Sequence, residues 1–315
     1  VKPNAEVTVL VLNFQQVKYI SKALESISLQ NVMPKQIILI DDGSSQEEVD
    51  SVQTVCSRYT HLPLKIVCDG RNLGHTARMN QALSLSTEKF FLLLSADDWL
   101  EPNAIEMLTR GINESDDVVW GNLRVVNEDG SSRGYVRPRE NWQGSTARKY
   151  LNGGNVFDDL FRVNSFVTGG MSLLRVSTIR DADGWDPEVT TEDFDLWLRI
   201  GRTASFRYVD EVIGNYRQVP NSKSRNDTKK LLDQSRIFSK HAGQSRSLDR
   251  KLAYLAAMRW ALAVARARRL PEVSLRIMAT QMNIKTWKIF VQLPRAIYNP
   301  LFRTLLAGLR KLSKL

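Results

Sequence analysis

Over the first two thirds of this 315-residue chain, short runs of Val, Ile, Leu and Phe alternate with segments whose apolar positions recur every three or four residues. The runs are VTVLVLNF (7–14), QIILIDD (36–42), LKIVCD (64–69), FFLLLSADD (90–98) and DVVWGNLRVV (117–126). Few polar residues interrupt them, the pattern of strands buried on both faces of a parallel sheet. The periodic segments predict helices over residues 19–29, with Ile20, Leu24 and Ile27 on one face, and over 47–58, 76–85 and 103–111. Residues 131–163 read as loop plus a short helix. FVTGGMSLLR, a helix over DFDLWLRIG and the strand-like FRYVDEVIGNYR follow. Strand alternating with helix predicts right-handed crossovers and an open, mostly parallel α/β sheet.

Charge divides the chain where this alternation ends. Residues 229–315 carry 19 Lys and Arg against 3 Asp and Glu, whereas the rest carries 25 against 31. The overall net charge of +10 therefore joins a mildly acidic body to a strongly basic tail. The polar stretch QVPNSKSRNDTKK marks the change, and the expected division is 1–225 and 226–315. Only Cys56 and Cys68 are present, outside any Cys/His cluster, which argues against a disulfide scaffold and against zinc. VKPNAEV leads straight into a strand with no leader pattern, and no apolar run approaches the ~20 residues that span a bilayer. A cytoplasmic protein is expected.

Three acidic doublets stand out: Asp41-Asp42, Asp97-Asp98 and Glu192-Asp193. The first two close predicted strands, and in open parallel sheets ligands bind beyond the carboxyl ends. Carboxylates gathered there repel one another unless a cation or hydrogen-bond donors hold them. A hard divalent ion on a substrate diphosphate would relieve that repulsion. Each doublet also has an ordinary reading. DDGSS suits a turn, SADDWLEP suits a helix start, and Asp193 could simply cap the helix it opens. Trp185 and Trp197 read as core, and His61, His75 and His241 stand in unrelated contexts.

The collinear series VTVLVLNFQQVKYISKALESI, IILIDDGSS, NLGHTARMNQAL, FFLLLSADDWLEPNAI, TGGMSLLR, DGWDPEVTTEDFDLWLR and NYRQVPNSKS resembles glycosyltransferase family 2 over about residues 5–225. The resemblance implies a GT-A fold and inverting transfer of a sugar from a nucleotide diphosphate, UDP by preference, with Mg²⁺ or Mn²⁺. It places Asn13 and Phe14 beside the base, Asp42 as an acceptor from the base, Arg78 near base or phosphates, Asp97 at the ribose and Asp98 on the metal. Arg217 would face the diphosphate. Gly169, Gly170 and Glu192 would line the acceptor, and Asp193 would be the catalytic base. Two departures accompany it. Val219 stands where many relatives carry a His near the metal, and Leu12-Asn13-Phe14-Gln15 replaces the commoner Pro-Thr-Tyr-Asn.

The basic tail reads as a helical extension. Over residues 301–315, Leu301, Phe302, Leu305, Leu306, Leu309 and Leu312 fall within an arc of about 140°, opposite Arg303, Arg310, Lys311 and Lys314. That face suits an anionic membrane surface, with Trp287, Phe290 and Tyr298 nearby, or alternatively a helix closing the core. The expected partners are a nucleotide-sugar donor, a glycan or lipid-linked acceptor in surface polysaccharide synthesis, and the inner face of a membrane. Transfer to a polyprenyl phosphate is the alternative. Nucleic-acid binding would explain the tail but not the doublets, and no G-x-G-x-x-G follows the first strand to support a dehydrogenase.

Overall fold

The computed structural model describes residues 2–140, 143–163, 165–219, 232–234, 236–237 and 240–241. The chain divides into two compact units, Val1–Arg225 and Asn226–Leu315. The predicted tail helix over 301–315, with Trp287, Phe290 and Tyr298, lies outside the described residues. Among the described residues no helix is long and apolar enough to cross a membrane.

The first unit runs β1 (Asn4–Asn13), α1 (Val17–Ser28), β2 (Met33–Asp41), α2 (Gln46–Cys56), β3 (Leu64–Cys68), α3 (His75–Leu85), β4 (Phe90–Ser95), β5 (Trp99–Leu100), α4 (Ala104–Gly111) and β6 (Val118–Val126). It continues with β7 (Ser132–Arg137), α5 (Gly144–Ala147), α6 (Phe157–Val163), β8 (Leu173–Arg175), α7 (Val176–Asp181), α8 (Glu192–Ile200) and β9 (Phe206–Arg217). One sheet holds all nine strands in the order β3-β2-β1-β4-β8-β6-β9-β5, with β7 also on β6.

The uninterrupted apolar runs are two-faced, as their pattern requires. Val9, Leu10 and Val11 of β1 and Ile37 to Ile40 of β2 are all fully buried. On α1 the predicted stripe Ile20, Leu24 and Ile27 is buried together with Ala23. Each such aliphatic side chain contributes roughly 1.5–3 kcal/mol on burial. That outweighs the ~1 kcal/mol forgone because Gln16, at the helix start, makes no side-chain cap.

Pairs β1–β2, β2–β3 and β1–β4 are parallel. The chain lays β2 and β3 on one side of β1 and then crosses to place β4 on the other. This creates a switch point, where neighbouring loops diverge and leave a crevice. Beyond β4 the sheet is mixed: β4–β8, β6–β8, β6–β7 and β5–β9 are antiparallel, and β6–β9 is parallel. Residues 131–163, expected as loop and one short helix, also contain β7, an exposed strand without an apolar face. In FVTGGMSLLR only Leu173–Arg175 forms strand. The glycine pair leads to Met171, whose positive φ of 59° turns the backbone so that its N–H reaches the Leu93 carbonyl at 2.7 Å.

Candidate active site

Strand register brings the first two doublets to one end of the sheet. Asn13 lies opposite Asp41 on β2, and Leu12 lies opposite Ser95 on β4. Asp41, fully buried, shapes its own turn: it accepts from Asn13 Nδ2 at 2.6 Å, Ser44 N at 2.8 Å and Ser44 Oγ at 2.7 Å. The other Asn13 amide atom, Oδ1, is buried and has no hydrogen-bond partner. The adjacent Phe14 ring is exposed.

Asp42 belongs to a clasp. It accepts from Leu73 N at 2.8 Å, Gly74 N at 3.0 Å and Arg78 Nε at 3.0 Å. Arg78 is fully buried and gives its remaining N–H groups to both Asp69 oxygens, to Gln81 Oε1 and to the Arg71 carbonyl. All five donors are engaged within the protein, and this geometry supports a role for Arg78 in holding Asp42. The Arg78 guanidinium, with the Arg71 amide, holds the Asp69 carboxyl well below the usual carboxylate range. Gly43 closes the clasp from the other side. At its φ of 76° a Cβ would lie 2.5 Å from Asn72 N, so only glycine lets the two loops meet.

The second doublet is braced from β9. Two-residue β5 pairs Trp99 with Asn215, a strand too short to be legible in the chain. The pairing delivers Arg217, whose backbone N–H donates to Asp98 Oδ1 at 2.8 Å and whose Nε donates to the Asp97 carbonyl at 2.8 Å. Its guanidinium sits between the rings of Tyr19 and Trp99, with centroids at 4.6 and 4.8 Å, and also donates to the Glu128 carbonyl. Arg217, expected at the diphosphate, is thus placed as a brace under the Asp97-Asp98 loop. Burial pushes the Asp98 carboxyl well above its ordinary range, and the neighbouring Asp97 charge adds to this; the Arg217 amide offsets part of it. Asp97 is shifted the same way, mainly by burial.

A carboxyl whose folded pKa is raised costs stability when ionised, and the cost disappears on protonation, neutral substitution or binding of a cation. Asp98→Asn, which keeps an oxygen for the Arg217 amide, is therefore expected to raise the melting temperature at neutral pH by about 2–4 °C. It should also erase any stabilisation by Mg²⁺. A lower melting temperature in calorimetry would contradict this account of Asp98. Among the described residues no group of three His, Cys, Asp or Glu side chains converges as a metal cage. Val219, at the position considered for a His, is a buried apolar side chain. Asp98 with Asp97 is a hard-oxygen pair whose charge Arg217 only partly offsets, which fits a divalent ion completed by other oxygen donors.

The third doublet opens a helix instead of closing a strand. Thr191 precedes α8 without a side-chain cap, and Glu192, Asp193 and Asp195 crowd the first turn. Asp193 Oδ1 accepts from Phe194 N at 2.7 Å, so part of the capping role is real. Its other oxygen lies against Gly169, where a Cβ would come within 2.9 Å of both Cβ and Cγ of Asp193. Gly169 and Asp193 are thus brought together, and the Met171 bond to Leu93 ties this glycine loop to β4, the strand that leads into the Asp97-Asp98 turn. Gly170 has more room, its nearest atom being Leu93 O at 3.9 Å.

Two residues of α3 belong to this side of the site and gave no signal in the chain. His75 Nε2 lies 3.4 Å from Glu192 Oε1. Asn80 holds the backbone of Trp185, donating to its carbonyl at 2.8 Å and accepting from its N–H at 2.9 Å. Trp185 and Trp197 are core residues, packed on Phe91 and Phe206.

The sequence matches the model of glycosyl transferase family 2 over residues 8–182. An uncharacterised glycosyltransferase of Bacillus subtilis, YwdF, is 25% identical over 199 residues, 62% of this chain and 68% of that protein. Among solved structures, Staphylococcus aureus TarS 1–349 in complex with UDP-GlcNAc superposes with a TM-score of 0.60 at 15% identity, covering 91% of this chain and 76% of that one. The mannosyltransferase PcManGT of Pyrobaculum calidifontis, in complex with GDP-Man and Mn²⁺, gives 0.58 at 16% identity, covering 98% and 85%.

Proposed function

Because the chain belongs to glycosyl transferase family 2 and has the GT-A fold, we propose that it is an inverting, metal-dependent transferase of a sugar from a nucleoside diphosphate, UDP by preference, to a hydroxyl of a glycan or lipid-linked glycan. One observation carries this reading. Asp42 and Asp98 are held at the switch point by dedicated braces, and Asp193 packs on a glycine loop hung from the same strand β4.

The base lies beside Asn13 and Phe14, with Asp42 and the Asn13 amide oxygen as acceptors for its N–H groups. Asp97 takes the ribose, and Asp98 is the carboxylate for Mg²⁺ or Mn²⁺. That ion, when bound, supplies neutralisation of the charge growing on the leaving diphosphate. Asp193 accepts the proton of the acceptor hydroxyl as its oxygen bonds to the anomeric carbon and the nucleoside diphosphate departs from the opposite face. Glu192, Gly169 and Gly170 border the acceptor.

Calorimetric titration with UDP, GDP, dTDP and CDP, with and without Mn²⁺, tests the reading. One nucleotide is expected to bind, more tightly with the metal, and Asp98→Ala should remove the metal's contribution. Binding of none of the four would end the transferase proposal.

A further inference from the structure

We propose that His75 is a positioning residue for the acceptor-side carboxylates, holding Glu192 from the first turn of α3; the functional weight of this rests on the transferase reading above. Glu192 is a buried acid, its side chain 11% exposed, and the His75 imidazole stands 3.4 Å away. A buried carboxylate is costly unless a cationic or hydrogen-bonding partner meets it. Asp193 follows Glu192 directly and is bounded by the Phe194 amide on one side and Gly169 on the other. His75 thus meets the same first turn of α8 that carries Asp193.

The place of His75 is set by the donor side. Gly74, with φ of 88°, turns the chain into α3 and gives its N–H to Asp42. One turn on, Arg78 locks the same helix to Asp42 and Asp69. A single helix thus holds the nucleotide-side carboxylate through Arg78 and the acceptor-side carboxylate through His75. Farther along, Asn80 fastens the Trp185 loop that leads to α8.

Fields of opposite sign meet at the imidazole. The positive end of α3 disfavours its proton, with about half a unit charge. Glu192 favours it with a full charge at contact distance, and Asp193 adds the same sign; the opposing Arg78 charge is balanced by Asp42 and Asp69.

The chain has only three histidines, so imidazole resonances resolve and each is assigned by its His→Gln variant. Glu192→Gln is expected to lower the pH midpoint of the His75 titration by about one unit, leaving His61 and His241 in place. His75→Ala should slow UDP release from UDP-GlcNAc, with water as acceptor, about tenfold at unchanged UDP affinity. His75→Gln, which keeps a donor for Glu192, should restore most of it. An unmoved His75 midpoint, or hydrolysis in His75→Ala equal to that of the unaltered chain, would overturn the assignment. Failure to bind any nucleotide would instead sink the transferase reading, while the titration still decides the His75–Glu192 pair.

Discussion

Replacing Gly169 by alanine is expected to lower sugar transfer by roughly 10²–10⁴-fold, the range associated with loss of a general base, while nucleoside diphosphate affinity stays within about twofold. Gly169 has no unusual backbone angle to protect, so the effect is purely steric. A Cβ would overlap one Asp193 oxygen and stand 2.9 Å from its Cβ and Cγ. The carboxylate cannot stay where it is, and its other oxygen must leave the Phe194 amide or the first turn of α8 must shift. Asp193→Asn should match the loss, because it removes the proton acceptor and keeps the shape. The double variant should be little worse than either, since both remove one function. Gly170→Ala lacks this clash, its Cβ meeting only Leu93 O at 3.9 Å, so Asp193 should keep its place there. Full activity in Gly169→Ala, or in Asp193→Asn, would remove Asp193 from the role of base.

Arg78→Met should destabilise the protein by about 3–5 kcal/mol in urea unfolding, the usual consequence of stripping one partner from a buried ionic network. Nucleotide affinity should fall with it, because Asp42 loses its Nε donor and the 69–74 loop loses the guanidinium that gathers Asp69 and the Arg71 carbonyl. Arg78→Lys should not rescue, since an ammonium cannot span two carboxylates and two neutral acceptors at once. The pH dependence has a defined sign. Asp69 is depressed by Arg78, so its contribution is present above the ordinary carboxylate range and is lost as pH falls through its folded value. The gap between Arg78→Met and the unaltered chain should therefore persist at neutral and mildly acidic pH and narrow only in strong acid. Equal stability of the two at pH 7 would show that the clasp carries little energy.

How much of this was readable in the chain differs from element to element. The runs QIILI and FFLLLS are apolar without alternation, which restricts them to strands covered on both sides, and each observed strand lies within two or three residues of its expected ends. The doublets that follow them each suit a turn or a helix start when taken singly, and became legible as chemistry only through the collinear series they belong to. The resemblance over residues 5–225 named Asp193 and Gly169 as belonging to one site, and the structure adds that they touch. Strand β7 was missed because SRGYVR has no apolar face, and β5 because two residues make no pattern.

The two arginines show the limit most clearly. In sequence, Arg78 and Arg217 are cations near acidic motifs, and the resemblance places Arg78 near base or phosphates and Arg217 at the diphosphate. Folded, every N–H of Arg78 is taken by the protein, and Arg217 is pinned between two rings beneath the Asp97-Asp98 loop. The chain by itself determined the parallel half of the sheet, the acidic residues and their order, because these follow from local hydrophobic pattern and residue chemistry. Only the tertiary structure decided which groups of the protein Arg78 and Arg217 meet, and that His75 stands beside Glu192. Those outcomes depend on how α3 and α8 pack across the end of the sheet, where competition among buried donors and acceptors is settled by distance and not by position in the chain.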